Sequence, residues 1–442
     1  MTSSGGSVAS ASGTVVRVAQ PDDVAAAGAL TAESYVADGL LADDDDYAAE
    51  LRDARRRAAE AVLLVAIART TDGRDVVVGS ITVAPYGSSY AEVAEPGEVE
   101  LRMLAVAPEA RKRGVAAQLM RAALREALAD GARRVVLSTQ DAMAAAQRLY
   151  DRLGFVREPE RDWGHEVVHL RVYTWTPPEA PGVLVEVATW PPVRTVVTDD
   201  GWRVGVSGGF TRRANSALPL AHPGDLGVAV GRVESVYVEA GQPSIFRVGT
   251  GAPAGLADEL VRRGYAERAR TDVLVRTTQE PGDAYGGAHG AGERGDAHAR
   301  THVGDEPDEA WLRAYLGVKG DRAQTDLARR VLTGAPAHYL TAVLHGEPVG
   351  TLRVAYAEQW AGLSSLAVAP GVRRLGLGRA LTRRGLALAR EHGAHRVFLQ
   401  VESQNTGAAA LYAQLGFVLA DGYGYFVGNR GEADPQPSRR GD

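Results

Sequence analysis

Two short segments of the sequence have the residue types needed to bind a phosphate group. RKRGVA at residues 111–116 and RRLGLG at residues 373–378 share the pattern Arg-x-x-Gly-x-(Gly/Ala). Each follows an apolar run that closes in Val-Ala-Pro, and each precedes a long amphipathic stretch. A glycine-rich turn between a strand and a helix directs backbone N–H groups and the helix dipole at one point, which suits a pyrophosphate. A lone copy would equally be an ordinary tight turn.

The residue types within the two turns support the phosphate interpretation. Glycine lets the backbone approach a ligand without a Cβ clash, and Ala116 is the smallest substitute where the second turn has Gly378. The leading arginines can add a charge-assisted contact. The spacing differs from the three-glycine dinucleotide fingerprint. The residues assigned to the phosphate are Arg111, Arg113, Gly114, Ala116, Arg373, Arg374, Gly376 and Gly378.

The neighbourhoods of the two turns belong to an internal repeat. Three segments, AAQRLYDRLGFVRE, GLADELVRRGYAER and GAAALYAQLGFVLA, are versions of one helix that ends in glycine and an aromatic residue. Phe155 and Phe417 each lie 44 residues after the leading arginine of their turn. The middle copy has LAHPGDLG in place of the arginine and glycine pattern. Two outer units and one degenerate middle unit are therefore predicted.

Alternating strand and helix patterns predict an α/β fold with mixed central sheets flanked by helices. The acidic run 43–46 is expected to cap a single helix, YAAELRDARRRAAEA, rather than bind metal. Residues 212–221 are predicted to form a strand, and His298 and His302 are expected to be solvated linker residues. The predicted segments are a disordered tail at 1–13, a domain at 14–178, a degenerate lobe at 179–278, a flexible linker at 279–308, a domain at 309–428 and a disordered tail at 429–442.

The composition excludes several classes of protein. The 442 residues are 45% hydrophobic and 24% charged, which is typical of globular domains. No long apolar run and no signal peptide are evident, so a cytoplasmic protein without membrane segments is expected. The net charge of −6 gives no reason to expect nucleic acid or membrane as a partner. The absence of cysteine excludes disulfides, thiolate metal sites and a cysteine acyl-enzyme, and no metal is expected.

The segments LAVAPEARKRGVA…LYDRLGF and LAVAPGVRRLGLG…NTGAAALYAQLGF resemble the GNAT superfamily of acyl-CoA-dependent N-acyltransferases over both outer units. The resemblance implies three GNAT-like units, with acetyl-CoA as the co-substrate and its pyrophosphate in the glycine-rich turn. It also implies that the pantetheine arm lies beside the preceding strand almost as an added strand. The backbone residues implied in this contact are Leu104, Ala105, Val106, Leu366, Ala367 and Val368.

The same resemblance implies candidate catalytic residues. Tyr150 and Tyr412 occupy the family's LY position and would donate a proton to the departing thiolate; packing of the helix onto the sheet is the alternative. Glu100 stands where several members carry a catalytic base, although a solvated strand carboxylate explains it equally well.

The two outer units differ at two positions that the resemblance singles out. The C-terminal unit has Gly362 at the position of Glu100, so Glu358 or a chain of water molecules would have to serve there. Asn405 resembles the family's CoA-contacting asparagine, and the first unit has Met143 instead. Each outer unit therefore departs once from the family's pattern.

In the last two units, the segments GGFTRRANSALPL, FRVG, VRRGY and VESQNTGAAALYAQLGF resemble actinobacterial tandem acetyltransferases associated with N-acetylglutamate synthesis. The resemblance implies direct acetyl transfer to the primary amine of a small molecule, such as glutamate or another amino acid. Arg212, Arg213, Asn215 and Ser216 are candidates to bind that acceptor, and a charged strand exit with a turn is the alternative. A mycothiol-synthase-like enzyme acting on an aminosugar conjugate, and an acetyl-CoA sensor with inactive sites, remain open. A homodimer is also left open.

Overall fold

The structure is a computed structural model that describes residues 14–41, 46–165, 168–278, 299–320 and 324–428. The two predicted tails, most of the acidic run 43–46, His298 and residues 279–298 of the predicted linker lie outside the described residues. The chain divides into two compact units, unit 1 from Met1 to Pro178 and unit 2 from Glu179 to Asp442.

Unit 1 is built on one mixed sheet. Its strands are β1 (Val15–Val18), β2 (Val62–Arg69), β3 (Asp75–Pro85), β4 (Glu98–Val106), β5 (Arg134–Gln140), β6 (Val156–Arg157), β7 (Trp163–His165) and β8 (Val168–Trp175). Its helices are α1 (Val24–Ala37), α2 (Asp46–Arg52), α3 (Ala54–Glu60), α4 (Val115–Ala129) and α5 (Ala144–Arg152). The strand order is β1-β2-β3-β4-β5-β8-β6, with β7 paired to β8. Only β4 and β5 are paired in parallel within this described sheet.

Helix α4 packs on β3 and β4 because its apolar residues recur at helical spacing and face the sheet. Gly79 on β3 allows the close approach: a Cβ there would lie 2.9 Å from Leu119 Cδ1. The prediction of a single helix after the acidic run is wrong, because Asp53 interrupts it between α2 and α3. The Asp53 carboxylate caps α3 by accepting a hydrogen bond from the Arg56 backbone N–H at 3.2 Å.

Unit 2 contains the second sheet. Its strands are β9 (Arg194–Val197), β10 (Arg203–Val206), β11 (Ala217–Leu218), β12 (Ile245–Gly249), β13 (Tyr265–Thr277), β14 (Arg300–Gly304), β15 (Ala337–Leu344), β16 (Glu347–Ala357), β17 (Trp360–Val368), β18 (Arg396–Glu402) and β19 (Val418–Gly428). Its helices are α6 (Val183–Thr189), α7 (Leu226–Glu239), α8 (Leu256–Arg262), α9 (Glu309–Lys319), α10 (Thr325–Leu332), α11 (Leu377–Glu391) and α12 (Thr406–Gln414).

The middle and C-terminal segments of unit 2 share one continuous sheet. The order is β14-β15-β16-β17-β18-β13-β19-β12-β11-β10-β9, so β13 lies between β18 and β19, and β19 pairs in turn with β12. Each segment therefore inserts its last described strand into the sheet of the other. The predicted α/β fold, with mixed sheets flanked by helices, is confirmed.

Three details of unit 2 correct the expectations from sequence. Residues 212–221 contain a 3-10 turn at Arg212–Ala214 and only a two-residue strand, β11. The end of the predicted linker, including His302, forms strand β14 on the edge of the sheet and pairs with β15. Helix α6 and strand β9 come from the segment 183–197, for which the sequence had given no element.

Two further features concern the described residues as a whole. None of their helices is both long and apolar enough to cross a membrane. Their His, Asp and Glu residues form no group of three or more that could hold a metal ion.

Candidate functional site

In each unit one pair of parallel strands separates part of the way along. The ladder between β4 and β5 ends at Leu101 and Leu137, although β4 continues to Val106. In unit 2 the ladder between β17 and β18 ends at Leu363 and Leu399, although β17 continues to Val368. The last residues of β4 and β17 therefore leave an open edge toward the neighbouring strand, where an extended ligand with amide groups could pair.

A bulge accompanies this separation at matching positions. Met103 in β4 has a φ of 55°, and Ser365 in β17 has a φ of 57°. The pairing with the preceding strand shifts register at both places, between Ser80 and Thr82 and between Thr351 and Arg353. A bulge bends a strand and redirects its side chains, which explains why the ladder to the following strand ends here. The residues assigned to the pantetheine contact follow directly: Leu104, Ala105, Val106, Leu366, Ala367 and Val368.

The two strand-to-helix turns have almost the same backbone. Gly114 is the N-cap of α4 with φ 83° and ψ 4°, and Gly376 is the N-cap of α11 with φ 81° and ψ −7°. Lys112 and Arg374 are left-handed as well, with φ of 60° and 67°. Neither glycine offers a side-chain cap, so the first N–H groups of both helices are not used by a capping side chain.

The leading arginines of the two turns have different surroundings. Arg111 donates to the Val106 carbonyl at 3.1 Å, and its guanidinium makes a two-pronged ion pair with Asp38 at 2.5 and 3.1 Å. Arg373 is exposed and donates to the Val368 carbonyl at 3.3 Å, with no acidic partner among the described residues. The carboxylate of Asp38 thus pairs with the Arg111 guanidinium that unit 1 would offer to a phosphate.

Other predicted phosphate residues lie at the same turns. Arg113, directly before Gly114, and Arg374, two residues before Gly376, are both exposed. Ala116 is half-buried in the first turn of α4. A Cβ at Gly378 would meet Leu411 Cδ2 at 3.4 Å, which is ordinary contact, so alanine would fit in the turn of unit 2 as it does in unit 1.

Both predicted tyrosine acids are buried at the ends of their helices. Tyr412 lies on α12 against Phe417, with ring centroids 5.8 Å apart, and burial raises its pKa to about 12. Tyr150 lies on α5 against Phe155 and Tyr173, at 5.8 and 5.9 Å, and burial raises its pKa as well. Burial therefore keeps both hydroxyls protonated near neutral pH and makes them weaker acids than a solvated tyrosine.

Glu100 is a fully buried carboxyl group on β4, not a solvated one. Its Oε2 accepts hydrogen bonds from the backbone N–H groups of Val93 and Ala94 at 2.8 and 3.2 Å. Its Oε1 is buried without a hydrogen-bond partner among the described residues. Burial raises the pKa of Glu100, although these N–H groups and Arg102, 3.8 Å away, act against it. Such a group has the features of a proton acceptor.

The corresponding place in unit 2 has no carboxylate on the strand. A Cβ at Gly362 would lie 2.9 Å from Phe398 and 3.0 Å from Thr189 Oγ1, so a longer side chain could not fit. Glu358, the substitute considered from sequence, is exposed in the tight turn before β17 and is not among the residues that line the cavities described next.

Unit 2 contains two adjoining cavities where β17 and β18 separate. The smaller has a volume of about 220 Å³ and the larger about 390 Å³. The smaller is also bordered by Trp190, Thr211, Arg212, Thr271, Tyr423 and Tyr425, and the larger by Lys319, Leu366, Asn405 and Tyr412, among others. The residues that line both are Arg213, Tyr315, Ser364, Ser365, Gln400 and Glu402.

The predicted acceptor residues divide between the cavity and its supporting loop. Arg212 and Arg213 line the smaller cavity, where Arg212 lies 3.6 Å from Glu402 and the Arg213 guanidinium lies 5.2 Å from the Trp190 ring centroid. Asn215 does not line it. Its buried amide accepts from the N–H groups of Ser207 and Gly209 and donates to the Thr211 carbonyl, so it fixes the loop that carries the arginines. Ser216 is likewise buried.

Asn405 lies beside the larger cavity and caps a helix at the same time. Its Oδ1 accepts a hydrogen bond from the Ala408 backbone N–H at 3.1 Å at the start of α12. Met143 holds the same place at the start of α5 and makes no such bond. The difference between the two units at this position therefore affects helix capping as well as the cavity.

Sequence reasoning missed two groups at the unit 2 site. Ser364 Oγ is buried without a hydrogen-bond partner among the described residues and lines both cavities. Glu186 on α6 is buried behind Gln400. A single glutamate inside the apolar run GVLVEVATW was the only local signal for the latter, because an acidic residue among valines suggests a paired, buried carboxylate.

Comparison with protein families gives two matches. The family described as probable histone acetyltransferase Rv0428c C-terminal matches residues 185–426, which is more than half of the chain. The acetyltransferase (GNAT) family matches residues 30–155.

Similar curated proteins match over short segments. Mycothiol acetyltransferase of Corynebacterium glutamicum strain R is 47% identical over 62 residues, 14% of this chain and 20% of its own length. Mycothiol acetyltransferase of Beutenbergia cavernae is 52% identical over 52 residues, 12% of this chain and 18% of its own length. The chain spans at most a fifth of the length of the curated relatives it matches.

Solved structures of GNAT proteins also match. A GCN5-related N-acetyltransferase from Kribbella flavida has 19% identity, covers 57% of this chain and 95% of its own, and gives a TM-score of 0.43. A tandem GNAT protein from the clavulanic acid biosynthesis pathway has 15% identity, covers 95% of this chain and 99% of its own, and gives a TM-score of 0.33.

Proposed function

The chain belongs to the Rv0428c C-terminal family of probable histone acetyltransferases and carries a GNAT domain at residues 30–155, and we propose that it is an acetyl-CoA-dependent N-acetyltransferase. The acceptor is the primary amine of a small molecule that also carries a carboxylate, such as an amino acid. The proposed transfer is direct, and the absence of cysteine excludes a cysteine thioester as an intermediate. The pair of cavities in unit 2 is the observation that carries this proposal.

The residues around the larger cavity fit the co-substrate. The open edge of Leu366–Val368 would pair with the pantetheine arm, and the turn at Gly376 with Arg373 and Arg374 would hold the pyrophosphate. The unpartnered Ser364 Oγ at this edge supports a polar ligand there. Acetyl-CoA supplies the acyl group as a thioester.

Tyr412 is the proposed proton donor on this side of the site. Its hydroxyl is protonated near neutral pH at the ordinary tyrosine pKa, and burial raises that pKa further, to about 12. Tyr412 Oη would give its proton to the departing sulfur as the C–N bond forms and the C–S bond breaks. The proton that the acceptor amine loses would pass through water to restore the Tyr412 hydroxyl, so the charges balance. Unit 1 offers Tyr150 and the fully buried Glu100 for the same two tasks.

The smaller cavity favours a compact acceptor. Its volume of about 220 Å³ lies below the roughly 300–1,000 Å³ of sites for drug-sized ligands. Arg212 and Arg213 offer guanidinium groups to a carboxylate, and Glu402 offers a carboxylate to an ammonium group. These charges together support an amino acid better than a neutral amine.

The acceptor class is tested by thiol release from acetyl-CoA. The full chain is incubated with the standard amino acids other than cysteine, an aminosugar conjugate without a free thiol and a lysine-rich histone peptide. Amino acids are expected to be accepted, and Arg213→Ala to raise KM for the best of them roughly tenfold by removing a charge-assisted contact. Preference for the aminosugar conjugate or the peptide would contradict the proposed acceptor, and no thiol release with any amine would contradict the proposed activity.

A further inference from the structure

Glu186 is a buried carboxyl group of unit 2 that has no role in the proposed reaction as described above. It lies on α6 with 2% of its surface exposed. Its Oε2 accepts hydrogen bonds from Arg247, at 2.7 Å, and from the side-chain amide of Gln400. Its Oε1 is buried without a partner among the described residues. A buried carboxylate oxygen without a hydrogen-bond partner lowers the stability of the folded chain. A carboxylate at this position is therefore expected to have a functional role.

The position of α6 explains why a carboxylate comes from this helix. Thr189, three residues after Glu186, packs where a side chain at Gly362 would extend. Gly362 matches Glu100 of unit 1 in the repeat, and residues three apart on a helix lie on the same face. Helix α6 therefore covers the strand at the point where unit 1 places Glu100, and it carries a carboxylate of its own.

Gln400 connects Glu186 to the cavities. Its side chain lines both of them, and its Nε2 donates to the Glu186 carboxylate. A carboxylate accepts hydrogen bonds, so the –NH₂ end of Gln400 is fixed toward Glu186 and the amide carbonyl is the end left for a ligand. A free glutamine would present either end.

We propose that Glu186 is a positioning residue of the unit 2 site, which fixes Gln400 so that the Gln400 carbonyl accepts a hydrogen bond from the N–H of the acceptor amine. This inference rests on the proposed function. The acceptor nitrogen thereby keeps its lone pair directed away from Gln400. Arg247 on β12 contacts the same carboxylate oxygen as Gln400. Its guanidinium also stacks on Tyr423, at 3.6 Å from the ring centroid, and Tyr423 itself lines the smaller cavity.

The test is a double-mutant cycle on acceptor binding and on turnover with the full chain. The probe is L-glutamate, or the standard amino acid that gives the fastest thiol release. The Kd of this amino acid is measured by calorimetry without acetyl-CoA. The kcat of unit 2 is the turnover of each protein minus the turnover that remains in Tyr412→Phe. Any binding heat from a second site in residues 14–178 is the same in every variant, so it is subtracted from each measurement.

Glu186→Gln and Gln400→Ala are each expected to raise the Kd about tenfold, and the double variant to raise it no more than the larger single effect. Glu186→Asp keeps the charge beside Arg247 but shortens the reach to Gln400, so it should weaken binding similarly while unfolding at a temperature nearer to that of the unchanged chain. Glu259→Gln is the matched control. Glu259 is also buried and paired to an arginine, Arg263 at 2.6 Å, but it lines neither cavity.

The outcomes separate the two proposals. If the unchanged chain acetylates an amino acid but Glu186→Gln and Glu259→Gln behave alike, Glu186 is only structural and this inference is wrong. Additive effects of Glu186→Gln and Gln400→Ala would also contradict it, because the first would then act without the second. If the unchanged chain neither binds nor acetylates any amino acid, the proposed acceptor class fails, and this inference fails with it.

Discussion

The turns at Gly114 and Gly376 have the same backbone conformation but different surrounding side chains. Their N-cap dihedral angles differ by only 2° in φ, with values of 83° and 81°, and both follow a strand whose bulge residue has a φ near 55°. In unit 1 the leading arginine is paired with Asp38, whereas in unit 2 Arg373 is exposed. A repeated motif therefore reproduces a shape, and contacts from outside the motif decide which ligands that shape can take.

The same contrast extends to the polar groups around each turn. Unit 1 places its buried carboxylate on the strand itself, at Glu100, while unit 2 has Gly362 there and a buried Glu186 on α6. Unit 2 has Asn405 as a helix cap beside a cavity, and unit 1 has Met143. The comparison favours unit 2 as the better acetyl-CoA site, because Asp38 pairs with the leading arginine of the unit 1 turn. Unit 1 retains both the candidate acid, Tyr150, and the candidate base, Glu100.

The largest effect is expected from removing the proton donor in unit 2. Tyr412→Phe should lower kcat by about 100-fold or more, because a positioned general acid contributes typically 10²–10⁴. The affinity for acetyl-CoA should stay within about twofold, since the Tyr412 hydroxyl acts on the leaving sulfur and not on the phosphates. Steady-state thiol release and calorimetry with CoA measure the two quantities.

Tyr150→Phe is the matched control for that prediction in unit 1. If unit 2 carries most of the turnover, Tyr150→Phe leaves most of the rate for the same acceptor. Equal losses from both substitutions would mean that the two sites work on one acceptor, and loss from Tyr150→Phe alone would reverse the comparison.

The next effect concerns the two glycines. Gly376→Val should weaken CoA binding at unit 2 by roughly tenfold or more, because a β-branched residue is strained at a φ of 81° and turns the first N–H groups of α11 away from the phosphate. Gly114→Val should remove whatever binding unit 1 has. Calorimetric stoichiometry with CoA distinguishes one site from two in the unchanged chain and in each variant.

Gly393→Val is the control for strain alone. Gly393 also has a positive φ, of 79°, and follows the other end of α11, so it shares the backbone penalty without touching the turn. Weaker CoA binding in Gly393→Val than in the unchanged chain would assign the effect of Gly376→Val to general instability.

A smaller effect is expected from freeing Arg111. Asp38→Asn removes the carboxylate that pairs with the guanidinium and takes a negative charge away from the entrance of the unit 1 turn. CoA affinity at unit 1 should rise about three- to tenfold at low salt, and the gain should shrink as the salt concentration increases. Unit 2 should not respond. Unchanged or weaker binding at unit 1 would show that Asp38 holds Arg111 in a productive position.

Much of the turn geometry could be predicted from sequence because it depends on local chemistry. Glycine at a left-handed helix start and proline as the first residue of a 3-10 turn leave the backbone few alternatives, so equal spacing at 111–116 and 373–378 gave equal structures. Helices α4 and α11 followed from apolar residues at helical spacing. The match of the last helix in each unit predicted the repeat correctly as well.

Long-range contacts could not be predicted in the same way. The pair Arg111–Asp38 joins residues 73 positions apart, and Glu186 meets Gln400 across 214 positions. Neither pairing leaves a periodic signal in the sequence. The exchange of β13 and β19 between the two segments of unit 2 is equally invisible locally, because a strand's own pattern specifies its buried face and not its neighbour.

The smallest expected effect concerns Glu100, the carboxyl group on β4, which should make the stability of unit 1 depend on pH. Burial raises the pKa of Glu100 in the folded chain above its unfolded value, so the folded state holds the proton more tightly. Its contribution to stability is present below the unfolded pKa and is lost as the pH rises through the folded pKa. Glu100→Gln removes that loss and should raise the unfolding temperature of unit 1 by roughly 1–3 °C at pH 7.5 and by little at pH 4.

Gly362 gives unit 2 no such group on its strand, so a transition assigned to unit 2 should not shift in this variant. Calorimetric melting at the two pH values measures both transitions, and an equal shift at pH 4 would mean that Glu100 acts through packing and not through its charge.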